Sequence, residues 1–417
     1  MAMYSYQFYY LAVALIKKPK LFTAKKQHKY VIVTSARNEE DVIGHFIDSA
    51  KKQTYPQELI DIYVIADNCT DNTAKIAKEH GAIVLERHNT EKVGKGYALD
   101  YFFDKLKESG EDHGYEAFIF FDADNLLDRN YVKEINKVFD QGYEALTSYR
   151  NSKNYDSNWI SAGYALWFLR EAKYLNNARM MLNTSCAISG TGFLISMELI
   201  EKTGGWHYHL LTEDIQFSVA NILDNVKIGY AGRAKFYDEQ PHTFKQSWTQ
   251  RLRWCKGFYQ VVANYGSSLV KRLYKNFACF DMLMTILPAM FVSFVTIFVN
   301  ITCLIMELVK HGYTPVVWEI VLGMFLSILG FYSVLFFFGV ITTITEGKEI
   351  RCSKIKKIKY CITFPVFIFT YVPIAIAALF KKVQWEPITH DVSIGIECLD
   401  LPNEENDTEE ETGAQNA

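Results

Sequence analysis

Two carboxylates close an apolar run: Phe118-Ile119-Phe120-Phe121 is followed by Asp122-Ala123-Asp124-Asn125. On an extended chain, residues i and i+2 point to the same side, about 7 Å apart. An all-oxygen pair of this kind suits a hard divalent ion bridged to substrate phosphates. Asp and Asn are also common in turns that merely end a strand. A second cluster, Asp67-Asn68-Cys69-Thr70-Asp71, follows the apolar Val64-Ile65-Ala66 and opens a helical pattern. Asp67 at the strand end is placed for a ligand, whereas Asp71 suits a helix cap. Gly94-Lys95-Gly96 allows close backbone approach, and Lys95 can neutralise phosphate. It matches neither a Walker loop nor a dinucleotide fingerprint, and a solvated turn lysine is the plainer alternative.

Thr212-Glu213-Asp214 sets two adjacent acids behind Leu210 and Leu211. One of them, partly buried, can take a proton from an alcohol; equally, Thr212 can cap a helix with both acids in its first turn. Gln250, Arg253 and Trp254 share a face at helical spacing. Arg clamps diphosphates and Trp stacks on sugar rings, although a basic amphipathic helix at a membrane surface fits the same composition. His207 and His209 read as ordinary loop histidines.

A parallel α/β arrangement must position these groups. Short apolar runs at Tyr30–Val33, Asp61–Ile65, Ala82–Leu85 and Phe118–Phe121 read as buried strands. Helical patterns cover Asn38–Gln53, Asn72–His80, Ala98–Lys107 and Tyr131–Phe139. Strand and helix in alternation imply right-handed crossovers and a sheet whose carboxyl ends gather the ligand site.

Beyond about Asn276 the composition changes. Met282–Met306, Val316–Thr345 and Cys361–Phe380 are long enough to cross a hydrocarbon core and lack a polar face. The third carries Pro365 and Pro373, which also suit a kinked or re-entrant segment. Lys348, Arg351, Lys354, Lys356, Lys357 and Lys359 concentrate between the last two stretches. The positive-inside rule then puts that loop and the α/β domain in the cytoplasm of a multi-pass cell-membrane protein. Lys381 and Lys382 oppose an outside C-terminus, so the side of the acidic tail stays open. At the N-terminus, Lys17, Lys18 and Lys20 follow a short aromatic stretch. That is the reverse of a secretory signal and fits a helix lying at the interface or a short span. The organisation expected is a membrane-associated segment at 1–29, a catalytic domain at 30–260, interfacial and transmembrane helices at 261–380 and a partly disordered tail at 381–417.

Of the 417 residues, 49% are hydrophobic and 22% charged, which excludes disordered, collagen-like and coiled-coil chains. A net charge of -3 makes no case for nucleic-acid binding. Eight Cys without a C-x-x-C pair argue against zinc and against a disulfide scaffold.

The motifs taken in order, Ser35-Ala36-Arg37-Asn38-Glu39-Glu40, Asp67 to Asp71, Gly94-Lys95-Gly96, Asp122-Ala123-Asp124, Gly190-Thr191-Gly192, Thr212-Glu213-Asp214 and Gln250-x-x-Arg253-Trp254, resemble the inverting family 2 glycosyltransferases. The kinship is to the membrane-integrated cellulose, hyaluronan and poly-N-acetylglucosamine synthase type, and it runs from about Tyr30 to Gly257. The resemblance implies an α/β GT-A domain with a mainly parallel sheet, followed by interfacial and transmembrane helices. It implies that the Ser35, Arg37 and Glu39 loop and Asp67 hold the uridine half of a UDP-sugar, and that Lys95 approaches the diphosphate. Asp122 and Asp124 would hold Mg²⁺ or Mn²⁺ and the donor. Asp214, beside Glu213, would be the general base. Gln250 and Arg253 would close over the diphosphate, Trp254 would stack on the acceptor, and Gly190 and Thr191 would line its entrance. The acceptor would be a growing polysaccharide or a lipid-linked group. Polymer-secreting members carry more spans than three; a partner chain, a homo-oligomer or a non-processive reaction would reconcile the difference.

Overall fold

The structure is a computed structural model and describes residues 4–110, 113–287, 289–383 and 392–399. Eight strands form one mixed sheet: β1 (Tyr30–Ala36), β2 (Ile60–Asp67), β3 (Ile83–Arg87), β4 (Ala117–Asp122), β5 (Leu126–Leu127), β6 (Ala145–Ser152), β7 (Phe193–Ser196) and β8 (Ile228–Asp238). Their spatial order is β3-β2-β1-β4-β7-β6-β8-β5. The four expected strands are present and mutually parallel. The rest mix directions: β7 runs antiparallel to both β4 and β6, β6 is parallel to β8, and β5 is antiparallel to β8. Because β7 runs against both of its neighbours, β6 and β8 run with β1, β2, β3 and β4. Six carboxyl ends therefore meet along one edge, and ligands of open α/β sheets bind at such an edge. Val31, Ile32 and Val33 of β1 are fully buried, as the unbroken apolar run requires of a strand covered on both faces.

The helices preceding the apolar region are α1 (Tyr6–Ile16), α2 (Ile43–Lys51), α3 (Thr73–Glu79), α4 (Lys95–Ser109), α5 (Tyr131–Phe139), α6 (Trp159–Arg170), α7 (Asn177–Met181), α8 (Met197–Thr203), α9 (Glu213–Leu223) and α10 (Phe244–Arg272). A π-helical turn, Glu171–Asn176, joins α6 to α7. Helix α2 starts five residues later than its pattern suggests. Asn38 has φ +58°, and the chain turns there before the helix begins.

The apolar region holds α11 (Phe277–Ile286), α12 (Ala289–His311), α13 (Pro315–Thr345), α14 (Lys354–Phe369) and α15 (Tyr371–Phe380). Among the described residues, α13 and the α14–α15 stretch are long and apolar enough to cross a membrane. Met282–Met306 is not one continuous helix: α11 ends at Ile286 and α12 starts at Ala289. The break falls at Leu287, which is extended (φ -70°, ψ 104°) directly ahead of Pro288. Within α11, Asp281 is buried. Its carboxylate pairs with Arg179 (Nε–Oδ2 2.7 Å, Nη2–Oδ1 2.9 Å) and accepts hydrogen bonds from Tyr10 (2.7 Å) and Tyr6 (3.1 Å). A buried charge needs such partners, and they pin α11 and α1 to the α/β domain.

The third apolar stretch is also divided, at Thr370. Arg251 of α10, wholly buried, donates from Nη1 to the Phe367 carbonyl (3.2 Å) and to Thr370 Oγ1 (2.7 Å), satisfying a carbonyl in the last turn of α14. Its guanidinium lies 4.6 Å from the Phe367 ring and 4.7 Å from that of Tyr371. The start of α14 is tied to the α/β domain by Lys356 and Asp156 (2.7 Å). Residues 392–399 return to that domain as well. The Ser393 hydroxyl donates to the Asp41 carbonyl (2.6 Å), and Ile396 and Leu399 pack with Leu126 and Tyr237.

Candidate active site

Strand ends and helix starts supply the polar groups. β1 ends at Ser35-Ala36, β2 at Asp67, β4 at Asp122, and β8 at Asp238. In the parallel register Ser35 lies opposite both Ile65 and Asp122, so the first loop and the D-x-D pair share one edge. Asp67 pairs in register with Arg87, and the two form a buried ion pair of 2.5 Å. Burial raises the Asp67 carboxyl, and Arg87 and Arg37 oppose the rise.

A cavity of about 360 Å³ opens at this edge, within the size range of a small-ligand site. Ser35, Arg37, Glu39, Asp67, Lys95, Asp122 and Asp124 line it, together with Gly190, Glu213 and Asp214 and, from α10, Gln250, Arg253 and Trp254. Thr191 is not on the wall. Its hydroxyl accepts the Asp122 N–H (3.0 Å) and donates to Asn125, so it sits beneath the D-x-D turn. Asp71 accepts the Thr73 N–H (3.0 Å), holding the first turn of α3 away from the cavity.

Lys95 joins Asp122 to the Gly190 loop. Its Nζ donates to Asp122 Oδ1 (2.5 Å) and to the Gly190 carbonyl (2.9 Å), and its side chain is only 13% exposed. A solvated turn lysine is thereby excluded. Gly96 lets α4 approach this closely, since a Cβ there would stand 2.2 Å from the Tyr208 carbonyl oxygen. Across Gly190, whose φ is +81°, a Cβ would lie 3.9 Å from Asp214 Oδ2. Both acids of the pair are raised. For Glu213 the causes are burial and then the charge of Asp214; for Asp214, burial, opposed by the Ile215 and Gly190 N–H groups and Lys95. Thr212 precedes α9, but its buried hydroxyl makes no hydrogen bond and caps nothing. It meets Gly257 instead, where a Cβ would approach Thr212 to 2.5 Å. This close crossing brings α10 down onto the acids.

The groups positioned by β6 and β8 carry no local sequence signal. Arg150 donates from Nε to Asp238 Oδ2 (2.6 Å), and its guanidinium lies 3.6 Å from the Phe168 ring centre. Burial works against the Arg150 charge, but Asp238, Asp122 and Asp124 together raise its pKa. Asp124 is buried; its Oδ2 accepts the Glu239 N–H (2.7 Å) and its Oδ1 the Asn125 amide (3.2 Å). Asp122 and Asp124 therefore present a fixed carboxylate and a more exposed one. No cluster of three metal-ligating side chains occurs among the described residues. Two carboxylates completed by substrate oxygens still fit Mg²⁺ or Mn²⁺ bound to phosphates.

Gln250 Oε1 and Arg253 Nε are buried without a hydrogen-bond partner. Buried polar atoms usually find a partner, and both of these side chains line the cavity. Trp254 stands edge-on to Tyr164 and Phe168 (5.8 and 6.3 Å), which fixes its ring on the cavity wall.

Comparison with known proteins agrees with this geometry. Residues 27–257 match the family model described as glycosyltransferase like family 2. The chain is 25% identical over 268 residues to the beta-monoglucosyldiacylglycerol synthase of Nostoc sp. (strain PCC 7120), covering 61% of this chain and 54% of that one. It is 24% identical over 260 residues to the poly-beta-1,6-N-acetyl-D-glucosamine synthase of Staphylococcus epidermidis, covering 60% and 61%. The matches thus span little more than half the length of these relatives. Among solved structures, the mannosyltransferase PcManGT from Pyrobaculum calidifontis, in complex with GDP-Man and Mn2+, aligns with a TM-score of 0.57. At 15% identity it covers 91% of this chain and 97% of its own, and shows that the fold is GT-A.

Proposed function

Because the chain belongs to glycosyltransferase family 2 and so uses nucleotide sugars, we propose that it is a membrane-bound inverting enzyme moving a sugar from a UDP-sugar to a growing cell-surface polysaccharide. The observation that carries this reading is the bridge from Asp122 through Lys95 to Gly190, with Asp214 on its far side. One end of the cavity suits a departing diphosphate and the other suits an incoming hydroxyl.

In the reaction, Asp214 takes the proton of the acceptor hydroxyl. The acceptor oxygen forms its bond to the anomeric carbon as that carbon's bond to phosphate breaks, and the electron pair leaves with UDP. One displacement inverts the configuration. Lys95 and Arg253 balance negative charge on the diphosphate, the Ser35–Glu39 loop and Asp67 hold the nucleoside, and Trp254 orients the acceptor ring. Asp122 and Asp124 would hold Mg²⁺ or Mn²⁺, which when bound supplies charge to the leaving group. The α/β domain then faces the cytoplasm, where nucleotide sugars are met.

A second reading, transfer of one sugar to a lipid or lipid-linked acceptor, is favoured by the cavity's far wall. Phe258, Met284 and Leu287 line it just before α12 begins. Isolated membranes containing the chain, given a panel of labelled UDP-sugars with Mn²⁺ or Mg²⁺, distinguish the two. A product ladder supports the polysaccharide, a single lipid adduct supports the second reading, and a donor left untouched with both metals overturns both.

A further inference from the structure

The cavity contains polar groups that the transfer chemistry leaves unused. Glu171, on the π-helical turn, lines the cavity beside Arg170. π-Turns inside helices often occur at functional sites, because they shift side chains out of regular register. Among the described residues, the Glu171 carboxylate makes no hydrogen bond or ion pair. Burial raises it, and Arg179, Arg150 and Arg170 oppose that rise while Asp214 adds to it. Arg170 is 7% exposed and has no carboxylate partner among the described residues. Its Nη2 donates to Gln7 Oε1 of α1, and the guanidinium lies 5.1 Å from the Trp167 ring centre. Burial lowers Arg170 to about 10.

Helix α1 is held here firmly. Tyr6 and Tyr10 bind Asp281, and the Tyr4 hydroxyl donates to the carbonyls of Met284 (3.2 Å) and Leu287 (3.0 Å). Tyr4 and Gln7 are consequently walls of the cavity, not only part of a membrane anchor.

We propose that Glu171, Gln7 and Arg170 form an acceptor-binding set that reads the ring hydroxyls of a sugar-terminated acceptor. The proposal rests on the glycosyltransfer reading of the same cavity. A carboxylate, an amide and a guanidinium supply acceptors and donors together, which neighbouring hydroxyls need, and Trp167, Phe168 and Trp254 offer apolar ring faces nearby. A diacylglycerol, with one hydroxyl and no ring, would leave most of the set unpaired. The sugar comes either at the end of a free oligosaccharide or on a glycolipid, and both present the same hydroxyls.

The test uses the full chain in phosphatidylcholine vesicles with the UDP-sugar it consumes. Acceptors are cellobiose, a monoglucosyl diacylglycerol and dioleoylglycerol. Losing a hydrogen bond to a charged group should raise the KM for the sugar acceptor about tenfold or more in Glu171→Gln. KM for the donor should stay within twofold, Glu171→Asp should recover part of the loss, and Gln7→Ala should move the same parameter less. Cellobiose as the better acceptor points to the oligosaccharide source, and monoglucosyl diacylglycerol to the glycolipid. Transfer to dioleoylglycerol alone, transfer to neither sugar, or an unchanged acceptor KM in Glu171→Gln overturns the proposal while glycosyltransfer stands. A wild type that consumes no donor overturns the underlying reading.

Discussion

Asp214→Asn is the most direct test of the chemistry, because it keeps the size of the side chain and removes only its ability to take a proton. The amide still fits beneath the Gly190 loop, where a Cβ would stand 3.9 Å from the present Oδ2, so donor binding should survive. General-base catalysis contributes about 10²–10⁴-fold, or about 2.7–5.4 kcal/mol at 1.36 kcal/mol per decade. Transfer should fall by that factor in initial-rate assays of label from the UDP-sugar, with the donor's KM little changed. The pH dependence adds a sign. A base works when deprotonated, and burial raises Asp214, so transfer should decline as pH falls through the raised value. Glu213, its neighbour in sequence, is pushed up to about 7. Lys95 from α4, Arg253 from α10 and Glu171 from the π-turn also face the pair. Glu213→Gln removes one negative neighbour and should move the acid limb to lower pH. A loss below tenfold in Asp214→Asn, a larger loss in Glu213→Gln, or an acid limb that moves upward would refute Asp214 as the base.

Other expectations concern the frame. Gly192 has φ +64°, and a Cβ there would lie 2.1 Å from Phe236 Cε1; Gly192→Ala should destabilise the fold by about 2 kcal/mol or more, read as a lower midpoint of thermal unfolding. Arg179→Met should cost about 3–5 kcal/mol by stranding Asp281, and Arg179→Met with Asp281→Leu should recover much of it; equal melting of the single and double variants would dismiss the pair as a clamp. In a chain cleared of exposed cysteines, Cys at position 348 and Cys at position 395 should react with an impermeant maleimide from the same side of sealed vesicles, and labelling from opposite sides would refute a common location.

Local rules revealed the half of the sheet built from buried parallel strands. β1, β2 and β4 read as unbroken apolar runs, so the acids at their ends stood out. β5, β6, β7 and β8 include two-residue and four-residue strands and lack that contrast. Arg150 and Asp238, 88 residues apart, meet only because β6 and β8 are parallel neighbours. Helical spacing correctly grouped Gln250, Arg253 and Trp254 on one wall. It gave Arg251 no distinct role, because its partners lie 116 and 119 residues away at Phe367 and Thr370. Hydropathy also misjudged where α12 begins. Apolarity is the same for a helix buried in protein and one facing lipid, and α11 parts from α12 at an extended Leu287 ahead of Pro288. Thr212 met every sequence requirement for a cap, yet the crossing of α10 at Gly257 took its side chain for packing instead.

The arrangement of α10 links the site to the apolar helices. Gln250, Arg253 and Trp254 face the cavity, whereas Arg251, Lys256 and Tyr259 grip the α14–α15 pair; the last two donate to the carbonyls of Ala378 (3.1 Å) and Ala375 (3.1 Å). Four donor contacts to carbonyls and Thr370 thus run from one helix to the region of the Thr370 break, and a rigid helix cannot move one face without the other. Both ends of this stretch return to the α/β domain, through Lys356 at one end and Ser393 at the other. These contacts are why the Lys-rich loop and residues 392–399 are expected on the same side. Whatever holds α14–α15 in place therefore also sets the position of Gln250 and Arg253, the groups proposed to close over the diphosphate.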